Sequence, residues 1–386
     1  MGSGPARAAG HRTGLMALAF VPKPIAELPW RMLWIVAAIA TCGVLGLYSA
    51  AGGSLMPWAL PHAARFGLFL ALAIALSYVK PKRFQEYSFA FYGAVFLLLL
   101  LVLAIGQVRG GAQSWLDFGP IRIQPSELMK PAVVLVLARF YAAVPPREIR
   151  RWSALWPAAL IVGVPVLVIL FQPDLGTALL ITFAAVTMMY LAGLQLRLFI
   201  GGAVAVAAIV PLAFSFLLPH QQERLLIFLN PEQDPLGAGY HLTQSKIAIG
   251  SGGVFGKGFL NGSQSHLQYL PEQHTDFIFS ALAEEWGLIG GLVLIALFLF
   301  LLRWGMKVAN EARGKFERLA AAGMTATIFF YTAINLLMVM GLAPVVGIPL
   351  PLVSYGGSAM MTVMICLGVL MSIDRATRKD ARRGTL

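Results

Sequence analysis

The sequence predicts an all-α polytopic membrane protein of about ten transmembrane helices, with a large extracytoplasmic loop between the seventh and eighth. Three observations carry that prediction. Of 386 residues, 58% are hydrophobic and only 12% charged, where a soluble domain usually carries about a quarter charged. The deficit runs the whole length, at a mean hydropathy of +0.76, which excludes a soluble domain with one anchor. Ten apolar runs reach or approach the about 20 residues a helix needs to cross a bilayer. Lysine and arginine alternate between the connections in a way that assigns sides.

Residues 1–29 form a polar tail opening on "MGSGPARAAGHR", with no cleavable leader evident ahead of the first apolar run. The runs are Trp30–Ala50, His62–Val79, Ser88–Gln107, Ser126–Val144, Leu155–Phe171, Asp174–Ala192, Phe199–Leu218, Asp276–Leu302, Leu319–Met340 and Ser358–Ile373. The break at Gln172–Pro173 is the weakest boundary. Residues 30–373 make one transmembrane domain, and 374–386 a second tail. Of the 29 basic residues, 21 fall in the two tails and in the second, fourth, sixth and eighth connections. The positive-inside rule makes that face cytoplasmic, with both termini inside. The formal charge of +12 is explained by this orientation, without nucleic acid. Cys42 and Cys366 sit inside apolar runs and read as small core residues. The other face holds the unusual loops, 108–125, 219–275 and 341–357.

Four stretches on that outer face carry chemistry. In "PEQHTDFIFSALAEEW", Thr275 is placed to cap the eighth span, with Asp276 in its first turn. Helix N–H groups there favour an ionised carboxylate. Asp276 reads equally as an ordinary capping acid. Glu284 and Glu285 lie deeper, where acids line cavities or pair with cations. In "QPSELMKPAV", Ser126 is placed to cap the fourth span, and Glu127 and Lys130, three apart, share a face. They read as a structural ion pair, or as a site where Lys130 holds an anionic ligand.

"GAGYHLTQSKIAIGSGGVFGKG" fails as a phosphate-binding P-loop, because Ser251 stands where glycine is required and Gly258 follows Lys257. It predicts a short helix ending in a glycine-rich turn, whose Lys246 and Lys257 join Arg224 in offering cations to an outward cavity. "GLAPVVGIPLPLVSYGGSA" holds three prolines and four glycines. Such broken backbone persists at membrane depth only inside protein or beside a water-filled cavity, and Ser354, Tyr355 and Ser358 are its candidate donors. The six histidines form no metal pattern.

"QPSELMK", "QPDLGTALL", "NPEQDPLGAGYHLTQSKIAIGSGG", "LPEQHTDFIF" and "PLPLVSYGGSA", in this order, closely resemble the SEDS family (shape, elongation, division and sporulation). "GKG" and "GSQSHLQYLPE" are similar to its elongation branch more than to its division branch. The resemblance implies a peptidoglycan glycosyltransferase of the bacterial cytoplasmic (inner) membrane. Such an enzyme polymerises lipid II, an undecaprenyl-pyrophosphate-linked disaccharide peptide, at the outer face. It implies Asp276 as the essential aspartate, Glu127 and Lys130 as functional residues of the fourth span, and Trp115 in the first outer loop. It also implies a class B penicillin-binding protein and other elongation-machinery membrane proteins as partners. The resemblance also shows departures, since many members have arginine where Ser114 and Gln273 stand and leucine at Trp286. If those arginines bind pyrophosphate there, this chain relies on Arg122, Arg224 or its lysines.

The chemistry suits these residues. A lipid diphosphate is a good leaving group, so cations take the place of the acid a glycosidase would need. One base then suffices to take the acceptor hydroxyl's proton. Asp276 fills that role, or holds a divalent cation, Mg or Mn, beside the diphosphate. One base implies inversion at the anomeric carbon. The rival reading is a flippase or transporter of the lipid-linked precursor, which intramembrane acids also fit. A recruiting scaffold would leave the Asp276 region unexplained.

Overall fold

The computed structural model of the protein describes residues 27–109, 112–117, 122–213, 222, 238–267, 269 and 272–383. Its helices in chain order are α1 (Trp30–Ala50), α2 (Ala59–Ser77), α3 (Pro81–Ile105), α4 (Pro125–Ala143), α5 (Trp152–Phe171) and α6 (Leu175–Ala192). Next are α7 (Leu196–Ala213), α8 (Ala238–Ser251), α9 (Ser263–His266), α10 (Ile278–Glu311), α11 (Lys315–Val339) and α12 (Gly357–Arg383). Eight of these, α1–α3, α5, α6 and α10–α12, are long and apolar enough to cross a membrane. The other two expected spans are α4, which carries Glu127, Lys130 and Arg139, and α7, whose apolar stretch is shorter. In hydrocarbon every backbone N–H and C=O needs a partner within the segment, and that makes each apolar run a helix.

Local chemistry sets several ends. Proline opens α3 and α4 at Pro81 and Pro125, where its missing N–H is no loss. The Asp174 carboxylate accepts from the Thr177 backbone N–H at 3.1 Å and caps α6, so the Gln172–Pro173 break is real. Hydropathy misplaces other ends. α3 begins seven residues before Ser88, and α10 and α12 run past Leu302 and Ile373 to Glu311 and Arg383. Polar helix turns beyond the hydrocarbon keep their hydrogen bonds but lose the apolar signal.

The helices are sorted by burial. α4 and α11 are enclosed along most of their length, and α12 is buried through its apolar part. α2, α3 and α5 present mostly exposed apolar surface. The enclosed helices pack on one another and on α6. One feature outside the all-α expectation lies in the 108–125 loop. Gln107–Arg109 (β1), Ala112–Asp117 (β2) and Arg122–Ile123 (β3) form a small antiparallel sheet in the order β1-β2-β3.

Candidate functional site

The first cluster is buried between α4 and α11. Lys130 Nζ donates to Glu127 Oε1 at 2.6 Å and to the Tyr331 hydroxyl at 2.5 Å. The Tyr331 hydroxyl in turn donates to Glu127 Oε2, closing a three-membered ring of contacts. Glu127 and Lys130 are 5% and 2% exposed. A charge buried this deep is tolerated only when paired and hydrogen-bonded, and both conditions are met. The α4 start is tied to α6 as well, since Gln124 Nε2 and Ser126 Oγ donate to Asp174 Oδ2 at 2.9 and 3.3 Å. Ser126 therefore does not cap α4. Pro125 takes the first helical position and leaves Gln124 as the cap residue, so the serine hydroxyl is used across to α6.

The second cluster gathers Asp276 with the 341–357 segment. Thr275 is not a helix cap either. Its hydroxyl is taken by Glu272, at 3.2 Å from the carbonyl and 2.8 Å from the carboxylate, and the chain stays in a turn until Phe277 caps α10. Asp276 thus stands in that turn, just ahead of the first helical turn where the sequence put it. Its carbonyl accepts from Asn335 Nδ2 at 2.9 Å, while the same amide donates to Ile348 O at 2.7 Å. A Cβ built on Gly347 would stand 3.6 Å from Asp276 Oδ2, so the half-buried carboxylate lies against the Pro/Gly-rich segment. Asn335 is one helical turn beyond Tyr331 on α11, about 6 Å along the axis. The two motifs are far apart in sequence, and α11 holds them one turn from each other.

An aromatic and cationic wall stands beside Asp276. His274 stacks on Trp58, with centroids 4.4 Å apart, and its carbonyl accepts from Tyr355 N–H at 2.9 Å. Arg65 lies with its guanidinium carbon 4.6 Å from the centre of the Tyr355 ring. His62, one turn before Arg65 on α2, meets Leu352 O at 3.0 Å. The sequence reading missed Arg65. The signal was available, because an arginine inside the His62–Val79 run calls for a cavity or a partner. Gln273 is buried and donates to Ala50 O at 3.3 Å.

The glycine-rich stretch does end a short helix, α8. Ser245 Oγ donates to Val339 O at 2.6 Å and meets Ser280 Oγ at 2.7 Å, fixing α8 on α10 and α11. Lys246, on the next residue, lies against Gly341 at the start of the 341–357 segment. Lys257 is engaged elsewhere. Its Nζ donates at 2.6 Å to Glu284, which also accepts from Ser263 Oγ and Gln264 N–H at 3.1 and 3.0 Å.

The turn docks edge-on against a break in α10. Lys257 and Gly258 N–H donate to the Glu284 and Glu285 carbonyls, and Leu288 and Ile289 N–H to the Gly253 and Val254 carbonyls. Gly287 takes φ 67°, ψ −166° there, and Gly256 sits at φ 81° against Glu285 O, with no room for a Cβ.

The remaining expected residues are dispersed. Trp115 is half-buried on β2, opposite Gln107. Arg122 pairs with Asp117 at 3.1 Å in the small sheet. Ser358 is 5% exposed and its hydroxyl has no hydrogen-bond partner among the described residues. Arg224 lies outside the described residues. Among the described residues no three of His, Cys, Asp and Glu converge as metal ligands. A divalent cation at Asp276 would therefore draw most of its ligands from diphosphate oxygens and water, as Mg²⁺ commonly does.

Comparison with known proteins identifies the family. Residues 30–379 match the FtsW/RodA/SpoVE family, described as "Cell cycle protein". The chain is 42% identical over 344 residues to the peptidoglycan glycosyltransferase MrdB of Escherichia coli strain K12, covering 89% of this chain and 92% of that protein. It is 31% identical to the peptidoglycan glycosyltransferase RodA of Treponema pallidum, covering 91% and 98%. A chain from a peptidoglycan synthase complex, solved to explain coordination of polymerization and crosslinking, superposes with a TM-score of 0.80 at 34% identity, covering 92% of this chain and 99% of that one. The rod shape determining protein RodA of Thermus thermophilus superposes at 0.69 with 30% identity, covering 90% and 97%.

Proposed function

Because the chain belongs to the FtsW/RodA/SpoVE family of cell cycle proteins, we propose that it is a multi-pass membrane peptidoglycan glycosyltransferase of the elongation type that polymerises lipid II. The observation that carries the reading is the convergence on α11. Tyr331 closes the Glu127–Lys130 cluster, and Asn335 holds Asp276 against the 341–357 segment one turn further out. In this reading the acceptor sugar's 4-hydroxyl gives its proton to the Asp276 carboxylate as its oxygen bonds to the donor's anomeric carbon. The bond from that carbon to the diphosphate breaks in the same displacement, and configuration inverts. Glycan strands that keep the donor's α configuration would overturn this.

Cations take the place of an acid at the leaving diphosphate. Arg65 and Lys246 are the described cations set against the same 341–357 segment as Asp276, and Arg224 and Lys257 are the further candidates. Trp115 and Ser358 complete the substrate contacts. In its alternative role Asp276 would instead hold a Mg or Mn ion, which would add charge neutralisation at the diphosphate. Lys130 acts with Glu127 below them, as part of the ligand-holding floor. The 21 basic residues of one face put that face in the cytoplasm with both termini, and the Asp276 face outside. The partner is a class B penicillin-binding protein, a choice supported by the synthase complex among the structural neighbours.

The test supplies purified protein with lipid II in detergent, where transport has no meaning. Polymer made by the native chain and not by Asp276→Asn is expected. Absence of polymer with the native chain and its penicillin-binding partner, while vesicles show lipid II translocation, would establish the transporter instead.

A further inference from the structure

The face opposite Asp276 carries a cleft that the reaction does not use. Its volume is about 50 Å³, and it is lined by Glu27, Arg375, Arg378, Lys379 and Arg382. Arg375 is the built part. It is 9% exposed, donates to Ser77 O at 2.9 Å and to Glu27 Oε2 at 3.0 Å, and lies 4.2 Å from the centre of the Tyr78 ring. Its Nε–H is buried with no acceptor among the described residues. Lys379 shares Glu27 Oε2 at 3.2 Å, and Arg378 pairs with Asp374 at 2.8 Å. Four cations against Glu27 and Asp374 leave a positive surplus at a place where three helix ends meet.

The surroundings narrow the occupant. The 26 residues ahead of Glu27 contain no aspartate or glutamate, so no carboxylate side chain of that tail supplies the missing anion. Ser372 Oγ donates to Val79 O at 2.5 Å, which binds α12 to the turn carrying Lys80, Lys82 and Arg83. One to two turns from Glu27, Trp30 and Trp34 are 45% and 70% exposed on α1. Amphipathic rings of this kind sit at headgroup depth. Ordinary positive-inside charges are solvated and separate, whereas Arg375 is enclosed and positioned by three contacts.

We propose that this cleft binds the phosphate of an anionic phospholipid of the cytoplasmic leaflet, and so clips the ends of α1, α2 and α12 together. Guanidinium groups match phosphate oxygens in pairs, and basic pockets between transmembrane helices on this side suit such headgroups. The proposal rests on the orientation above and is independent of the glycosyltransferase reading.

The experiment reads lipid retention by native mass spectrometry, using full-length protein from nanodiscs of equal phosphatidylglycerol and phosphatidylcholine. The native chain is expected to keep phosphatidylglycerol preferentially. The triple variant Arg378→Gln, Lys379→Gln, Arg382→Gln spares the structural Arg375 and should lose that preference by at least about tenfold, since each surface cation contributes measurably to anionic-lipid affinity. A charge-matched control, Arg303→Gln, Lys307→Gln, Arg313→Gln, should keep it. Equal loss in both triples would reduce the effect to general charge and overturn the site. Displacement of the lipid by millimolar inorganic phosphate would overturn it too, by making this a free-anion pocket. So would retention that no variant changes.

Discussion

Lys130 decides between the two readings of its cluster. Truncating one member of a buried, hydrogen-bonded ion pair leaves the other charge unpaired, at a cost of about 3–5 kcal/mol. Lys130→Ala should therefore lower the melting temperature as well as activity. The double variant Glu127→Gln, Lys130→Met removes both charges, so it should regain most of the stability while polymerisation stays lost. Recovery of activity along with stability would leave the pair a purely structural role. His274 gives a pH prediction. Burial beside Trp58 holds its imidazole below the usual range, against an opposing pull from Glu272. The unfolded chain takes up that proton first, near about pH 6.5. The stabilisation is then complete above that pH and lost as pH falls through it. Melting temperature between pH 7.5 and 5.5 should fall less for His274→Gln than for the native chain.

At the level of elements, the spans were legible because long apolar runs leave hydrocarbon-embedded backbone no alternative to helix. What was not legible depended on partners distant in sequence. Ser126 and Thr275 look like helix caps locally, but Asp174 and Glu272 claim their hydroxyls. Arg65 lay unremarked inside an apolar run until Tyr355, about 290 residues later, gave it a neighbour. The bend at Gly287 has no local cause at all, since it exists to receive the turn around Gly256. Adding a Cβ to Gly287 imposes a strained left-handed φ and collides with that turn. Gly287→Ala should cost more than about 2 kcal/mol and loosen residues 253–258, measurable as faster amide exchange there.

For the whole molecule, the arrangement of charge predicts which way the chain sits, and labelling checks it. In a Cys42→Ala, Cys366→Ala background, Asn261→Cys should react with a membrane-impermeant thiol reagent in intact spheroplasts. Lys82→Cys should react only after lysis. The reverse pattern would invert the protein and remove Asp276 from the compartment where polymer is made. The charge asymmetry behind this prediction is legible in the sequence, because counting lysines and arginines needs no tertiary contacts. It could not convey that α11 joins the two outer motifs, since Tyr331 and Asn335 look like ordinary polar residues of an apolar span.

The interruption at Gly287 has a mechanical corollary. Residues 278–286 are fastened to the glycine turn through Glu284 and the paired backbone, which reaches past the bend to Leu288 and Ile289. Beyond them the helix runs on to Glu311, packed through Leu294, Phe298 and Leu301. Asp276 sits at the outer end of the 278–286 segment, so its position is set from two sides, by the glycine turn through those residues and by Asn335 of α11.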